Sequence, residues 1–225
     1  MRPDEVLDTL QRAGFEAWYV GGCVRDTLLG RPIHDWDVTT SALPEQVLAL
    51  FPRTVPTGLP HGTVTVLSDS GPVEVTTYRA DGDYHDGRHP DGVRFVRSLR
   101  EDTARRDFTV NAMAMDQRGN IRDFYGGRAD LAAGILRCVG APERRFREDA
   151  LRMLRACRFA AQLGFAIEPE TWAALLRCAP LCKQLSRERI TEEVTKTIRS
   201  PSPQWAAAMI RCGLLTSCCL TGSND

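Results

Sequence analysis

The stretch Trp18–Ser41, WYVGGCVRDTLLGRPIHDWDVTTS, decides how this chain is read. AWYV, ending at Val20, has the apolar make-up of a buried strand. Gly21 and Gly22 turn the chain, VRDTLLG reads as a short helix closed by Gly30, and DWDVTTS reads as a second strand. Side chains two apart on a strand share a face, so Asp35 and Asp37 project together while Trp36 and Val38 point the other way. Two parallel carboxylates repel unless a cation lies between them, and a hard divalent ion such as Mg²⁺ suits oxygen ligands. The same pair also fits a solvated turn acid beside a capping acid. Gly21 and Gly22 let a ligand approach the backbone, the helix they open carries Arg25 in its first turn, and helix N-termini and arginine forks both suit phosphate. No G-K-[ST] follows, so this is not a Walker loop, and G-x-G-x-x-G is absent.

Further along, PEQVLALF reads as a helix started by Pro44. TVTVLSDSGPVEVTTYR is two alternating runs around a turn, a hairpin. If its second strand lies beside DWDVTT, Glu74 becomes a third acid of the same site; otherwise it is an outward-facing polar residue. AMAMD and IRDF flank QRGN as another hairpin, followed by DLAAG and the short strand ILRCVG. After Pro142 only helical patterns remain: one from about Pro142 to Leu163, then others from Pro169, Ser186 and Pro201. Mixed strands and helices followed by helices alone give an α+β fold class, with a first domain over 1–140 and a helical second part over 141–215. MRPDEVLDTLQRAG is an amphipathic helix with acids in its first turn and Gly14 as its stop, not a signal peptide.

The 225 residues carry zero formal net charge, so no global field draws the chain to nucleic acid. No apolar run reaches the length of a membrane span. The eight cysteines, 23, 138, 157, 178, 182, 212, 218 and 219, form no C-x-x-C pair and have no histidine at zinc-ligand spacing. They read as reduced thiols of a cytoplasmic protein.

On the helix expected over 142–163, Asp149, Arg152, Arg155 and Arg158 sweep one half of the surface, and Ala150, Leu154, Cys157 and Ala161 pack on the other. A solvated basic face accounts for this pattern. So does base reading, because an ionised Asp only accepts hydrogen bonds and Arg only donates them. Cytosine and adenine each place an amino donor beside a ring-nitrogen acceptor, whereas uracil and guanine reverse that order. An Asp–Arg pair therefore accepts C and A and rejects U and G.

YVGGCVRDTLLGRPIHDWDVTTSALPEQV resembles the Gly-Gly and D-x-D signature of the class II tRNA nucleotidyltransferases, the CCA-adding enzymes and bacterial poly(A) polymerases of the polymerase β-like superfamily. VEVTTYRADGDYHDGRHPDGVRFV resembles that family's third-acid strand and flexible loop, and EDTARRDFTVNAMAMD its R-R-D-F-T-x-N-A-M motif. DFYGGRADLAAGILRCVG resembles its neck-entry segment, FREDALRMLRACRFAAQLGF its base-reading E-D-x-x-R helix, and ERITEEVTKTI the helix after it. The resemblance runs to about Leu215. It implies a polymerase β-like head and an all-α neck, and an Mg-dependent RNA nucleotidyltransferase adding CMP and AMP from CTP and ATP to the 3′ end of tRNA. CC-only, A-only and poly(A) addition remain open, as does a nucleotide- or RNA-binding fragment without turnover.

It further implies that Asp35 and Asp37 hold two Mg²⁺ ions, with Glu74 completing the catalytic acids. Gly22, Arg25, Arg106, Asn111, Asp149, Arg152, Arg155 and Arg158 become nucleotide contacts. Asn111 falls to the ribose and the Asp149–Arg152 pair to the base, while Asp107 fixes the local turn. The loop RADGDYHDGRHPDG is expected to be mobile, with His85 and His89 as solvated residues rather than metal ligands. TSCCLTGSND has no helical period and does not resemble the family. The expectation is a head and neck with an irregular tail over 216–225, weakened for tRNA by lacking the family's body and tail domains. Oligomeric state is not legible.

Overall fold

The computed structural model describes residues 2–81 and 93–215. It divides into two compact units, residues 2–81 with 93–128, and residues 129–215.

The first unit begins with α1 (Pro3–Arg12), which has proline in its first turn, Asp4 and Glu5 against its N-terminal dipole, and Val6, Leu7 and Leu10 fully buried. Then come β1 (Ala17–Val20), α2 (Gly22–Leu28), β2 (Trp36–Thr40), α3 (Pro44–Leu50), β3 (Thr54–Gly58), β4 (Thr63–Ser68) and β5 (Gly71–Thr77). β6 (Arg79–Asp81) and β7 (Val93–Phe95) form a separate antiparallel ribbon. Completing the unit are α4 (Leu99–Ala104), β8 (Ala114–Met115) and β9 (Ile121–Arg122).

Seven strands make one mixed sheet in the order β3-β4-β5-β2-β1-β8-β9. Both expected hairpins form, β4 with β5 and β8 with β9. The strand carrying Glu74 does lie beside β2, in parallel, with Asp37 directly opposite Glu74 and Val38 opposite Val75. Pleating then sorts the chemistry. Val38, Val73 and Val75 are buried on one face, where Trp36 stacks on Tyr19 with ring centroids 4.7 Å apart, a contact worth about 0.5–1.5 kcal/mol. Asp37, Thr39, Glu74 and Thr76 take the other face. Val20, Tyr78, Val96, Leu99 and Ala114 form a second apolar cluster, with Trp18 packed against it.

Two features of this unit are not expected from the sequence. TVPTG carries Pro56 and Gly58 and matches no element expected from the sequence, yet it is the sheet's outer strand, irregular between Val55 and Gly58, where proline is tolerated. Arg79–Asp81 belongs to β6 rather than to a loop. The rest of that segment, with His85 and His89, and the tail from 216 onward lie outside the described residues.

The second unit is led in by α5 (Gly127–Ala133) and continues through β10 (Ile135–Leu136), α6 (Pro142–Glu148), α7 (Leu151–Leu163), β11 (Ala166–Ile167), α8 (Pro169–Cys178), α9 (Arg187–Ile198) and α10 (Gln204–Arg211). It is not purely helical after Pro142, because β11 pairs in parallel with β10. Gly164, at φ 71°, ends α7 and releases the chain into that short strand. The single helix expected over 142–163 is two helices. Asp149 is extended, at φ −146° and ψ 108°, and its Oδ1 accepts the Leu151 N–H at 3.0 Å. An aspartate that bonds the backbone two residues on competes with the helix and starts a new one.

Candidate active site

Asp35 lies just before β2 and Asp37 within it, and Glu74 stands beside Asp37 on β5. Asp35 and Glu74 are exposed and Asp37 is half-buried. Among the described residues none of the three carboxylates makes a hydrogen bond or ion pair. Burial raises the Asp37 carboxyl above its usual range; the Arg106 guanidinium opposes the shift and Asp35 adds to it. Glu74 is raised by partial desolvation of its carboxyl, then by Asp37 and Asp35. The three acids therefore sense one another, as like charges sharing a face must. They have not closed on a common point: among the described residues no trio of His, Cys, Asp or Glu is gathered tightly enough to hold an ion. Oxygen-only donors, mutual repulsion and no ion pair to any of the three acids among the described residues are nevertheless the chemistry that fits Mg²⁺, which keeps several waters and takes only one or two carboxylates.

Gly21 is where this face meets the turn. Its φ is 76°, and a Cβ there would lie 3.1 Å from Asp37 Oδ2 and 3.2 Å from Arg106 Nη1. Glycine at 21 thus serves both the turn and the close approach of an acid and a guanidinium. At Gly22 the nearest group to such a Cβ is Arg25 Nη2, at 3.6 Å. Arg25 is buried and already held, with Nε and Nη2 on the Asp26 carboxylate at 3.0 and 2.8 Å and Nη1 on Asn111 Oδ1 at 2.8 Å. Asn111 Nδ2 donates to Asp107 Oδ1 at 3.1 Å, and that oxygen also accepts the Phe108 N–H. Asp107 therefore does fix the local turn, and it ties R-R-D-F-T-x-N to the helix behind Gly-Gly.

Asp102, on α4, is a member of this site that the sequence reading missed. It is fully buried. Its Oδ1 accepts from Arg105 Nε at 3.0 Å and the Arg79 N–H at 3.3 Å, and its Oδ2 accepts from Thr39 Oγ1 at 3.0 Å and lies 3.7 Å from Arg106 Nη2. Burial opposes its ionisation, yet Arg105 and Arg106 bring its carboxyl below the usual range. The signal was present: in E-D-T-A-R-R the acid precedes two arginines at i+3 and i+4. Asp123 was missed as well; its carboxylate accepts the Gly127 and Arg128 N–H groups at the start of α5, at 3.0 and 2.9 Å.

The second unit brings the expected base-reading residues together in another arrangement. Asp149 precedes α7 rather than riding on it, and its Oδ2 accepts from Arg189 Nη2 on α9 at 2.9 Å. Arg152 donates to Glu148 Oε2 at 2.7 Å and to the Arg145 carbonyl at 3.3 Å. Arg158 donates to Glu193 Oε2 at 2.6 Å and Gln162 Oε1 at 3.0 Å, with its guanidinium 4.0 Å from the Phe159 ring centroid. Arg155 lies over the same ring at 5.2 Å. Arg152 and Arg158 are buried, so a solvated basic face is not what α7 presents. Glu148, Arg189 and Glu193, which hold this set, were not singled out in the sequence: Arg189 and Glu193 lie on α9, 40 and 35 residues from Asp149 and Arg158, and Glu148 ends α6, in the turn before Arg152.

Strand order and the helical unit after it place the chain in the polymerase β-like nucleotidyltransferase class, a mixed-sheet head followed by a neck. Within that class it belongs to the poly A polymerase head domain family, whose sequence profile matches residues 17–137. A second profile, the probable RNA and SrmB-binding site of polymerase A, matches residues 164–218. The chain is 53% identical over 196 residues to a CCA-adding enzyme of Geobacillus stearothermophilus, a match covering 87% of this chain and 48% of that one. It is 48% identical over 222 residues to a CCA-adding enzyme of Lactobacillus delbrueckii subsp. bulgaricus, covering 98% of this chain and 56% of that one. Among solved structures, the Bacillus stearothermophilus CCA-adding enzyme in complex with CTP superposes with a TM-score of 0.86 at 47% identity, covering 95% of this chain and 53% of that one. A tRNA nucleotidyltransferase complexed with a primer tRNA and an incoming ATP analog gives 0.74 at 28% identity, with coverages of 92% and 59%. The chain thus spans about half the length of the curated relatives it matches. No helix among the described residues is long and apolar enough to cross a membrane.

Proposed function

We propose that the chain is the head and neck of a template-independent RNA nucleotidyltransferase that adds CMP and AMP, from CTP and ATP, to the 3′ end of tRNA. The head spans 1–140 and the neck 141–215. The observation that carries this reading is Asp37 and Glu74 facing each other on adjacent parallel strands, with Asp35 just before β2 and Gly21 alongside, none of the three in an ion pair among the described residues, in a chain of this family. Free thiols at six described cysteines suit the reducing cytoplasm, where the reading places the protein.

Asp35 and Asp37 would hold magnesium, with Glu74 beside them. Two bound ions supply activation of the primer 3′-hydroxyl and charge neutralisation at the departing pyrophosphate, worth several kcal/mol. The rest is done by this chain's own groups. Gly21 and Gly22 leave room for the triphosphate against the backbone. Arg106, beside Asp37, offers a guanidinium to phosphate oxygens. Arg25, clamped by Asp26, holds Asn111 where it can meet the ribose. In the neck, Asp149 accepts from the exocyclic amine of cytosine or adenine and Arg152 donates to the adjacent ring nitrogen, while Arg155 and Arg158 add contacts to the nucleotide. The partners of Arg152 and Arg158 pre-orient those forks, so little freedom is lost on binding.

The test is incorporation of labelled CTP and ATP into tRNA lacking its 3′ end, with Mg²⁺. Wild type should extend the primer. Asp35→Ala should lower the rate about a thousandfold, as several kcal/mol of lost activation requires. Full activity in that variant contradicts the site. Nucleotide binding by wild type without extension would identify a binding fragment instead.

A further inference from the structure

Arg106 sits between two acids and is bonded to only one. Its Nη2 is 3.7 Å from Asp102, whereas Asp37, although close enough for its Oδ2 and Arg106 Nη1 to flank the same point at Gly21, shares no hydrogen bond or ion pair with it among the described residues. Arg106 Nε is buried without a partner. Nothing about Arg106 itself explains this choice, since Asp37 has no other counter-charge. The explanation lies in Asp102, which is locked by Thr39 from β2, by the Arg79 N–H from β6 and by Arg105 from the turn after α4. Thr39 is two residues beyond Asp37 on the same face, so Asp102 stands at the closed, inner end of the acid row and Asp37 nearer the open end.

We propose that Asp102 is a positioning residue: it draws Arg106 off Asp37, and so keeps the acid face available to a divalent cation instead of letting it collapse into an internal ion pair. This rests on the reading of Asp35 and Asp37 as cation ligands. Without the Asp102 charge, Asp37 is the carboxylate that Arg106 faces across Gly21. A guanidinium paired there competes directly with a metal ion, because both neutralise the same oxygens. The role differs from structural support, since removing the Arg106 charge cancels it.

The experiment is Mn²⁺ binding to the full chain without nucleotide, followed by electron paramagnetic resonance of the free ion. Asp102→Asn keeps an acceptor oxygen for Arg105 and removes the charge; it should weaken Mn²⁺ about tenfold. The double variant Asp102→Asn/Arg106→Gln should regain wild-type affinity. Arg106→Gln alone should bind Mn²⁺ at least as tightly as wild type, and it decides the question if Asp102→Asn does not fold: a loss of affinity there overturns the proposal. Unchanged affinity in Asp102→Asn, or a double variant as weak as the single, also overturns it. Asp37→Ala separates the two levels. If wild type binds Mn²⁺ and Asp37→Ala does not, the acid-face reading stands whatever Asp102 does; if wild type binds none, that reading falls and this proposal with it.

Discussion

On β2 and β5, Asp37 and Glu74 face one way, and with Asp35 just before β2 they make no hydrogen bond or ion pair among the described residues. Around α7 and α9, by contrast, Arg152, Arg158 and Asp149 each hold an opposite charge, at 2.7, 2.6 and 2.9 Å. The first arrangement stores repulsion and leaves its charges to a ligand. The second spends its charges on its own partners and gains fixed orientation. Chemistry common to every nucleotide needs the first, because a cation and a triphosphate must be able to enter. Choice between bases needs the second, because donors and acceptors must be in place before the base arrives.

The two regions should consequently respond to removal of an acid with opposite signs. In the second unit, Glu193→Gln leaves the Arg158 guanidinium buried with Gln162 as its remaining partner among the hydrogen bonds described above. Breaking one side of a buried pair costs about 3 kcal/mol or more. Urea unfolding followed by circular dichroism should show that loss. Wild-type stability would mean that α9 does not hold α7 through this pair.

In the first unit the same kind of change should stabilise. A carboxyl whose pKa is raised by folding favours the folded state while protonated, and that contribution is lost as pH rises from the unfolded to the folded value. Asp37 and Glu74 are both raised, so their ionisation works against the fold. Asp37→Asn should raise the metal-free melting temperature at pH 7, by about 2–4 °C for each kcal/mol of charge burial and repulsion removed. Near pH 3, where the wild-type carboxyl is itself protonated, the gain should vanish. A lower melting temperature at pH 7 would show that the acid face is not strained by its own charge.

A smaller effect concerns the thiols of the second unit. The neighbouring Cys157 thiol brings the Cys212 thiol down to about 7, while Cys157 itself is pushed up by Cys212 and by burial. Iodoacetamide should alkylate Cys212 with a rate that rises through about pH 7, and Cys157→Ala should move that rise toward the ordinary thiol range, near 8.5. Peptide mapping by mass spectrometry reads both. An unshifted profile would separate the two cysteines.

Much of this contrast was legible in the sequence and part of it was not. Alternation at DWDVTT and VEVTT needs only the pleat, so Asp37, on the face away from Val38, and Glu74, on the face away from Val73, could each be given a face, but whether the two strands are neighbours was not legible, and Asp35 lies just before β2. The break at Asp149 was hidden, because FREDALRMLRACRFAAQL keeps a helical period straight through it and only the side chain's bond to the Leu151 N–H interrupts the helix. The partners of the arginines were hidden for another reason: Glu193 and Arg189 are 35 and 40 residues away along the chain from the groups they hold. Asp102 lay between these cases, visible as an i, i+3, i+4 pattern running off the end of α4 but not as a neighbour of Thr39 on β2.

The account stands most directly on relative incorporation of CTP, ATP, UTP and GTP into one tRNA primer by Asp37→Asn and Asp149→Ala, assayed side by side with Mg²⁺. If open acids supply the chemistry and held charges supply the choice, Asp37→Asn fails with all four nucleotides. Asp149→Ala still transfers but loses about 1–3 kcal/mol of discrimination, accepting UTP and GTP relatively better. An Asp149→Ala variant with its C and A preference intact, or an Asp37→Asn variant that still extends the primer at the wild-type rate, would contradict it.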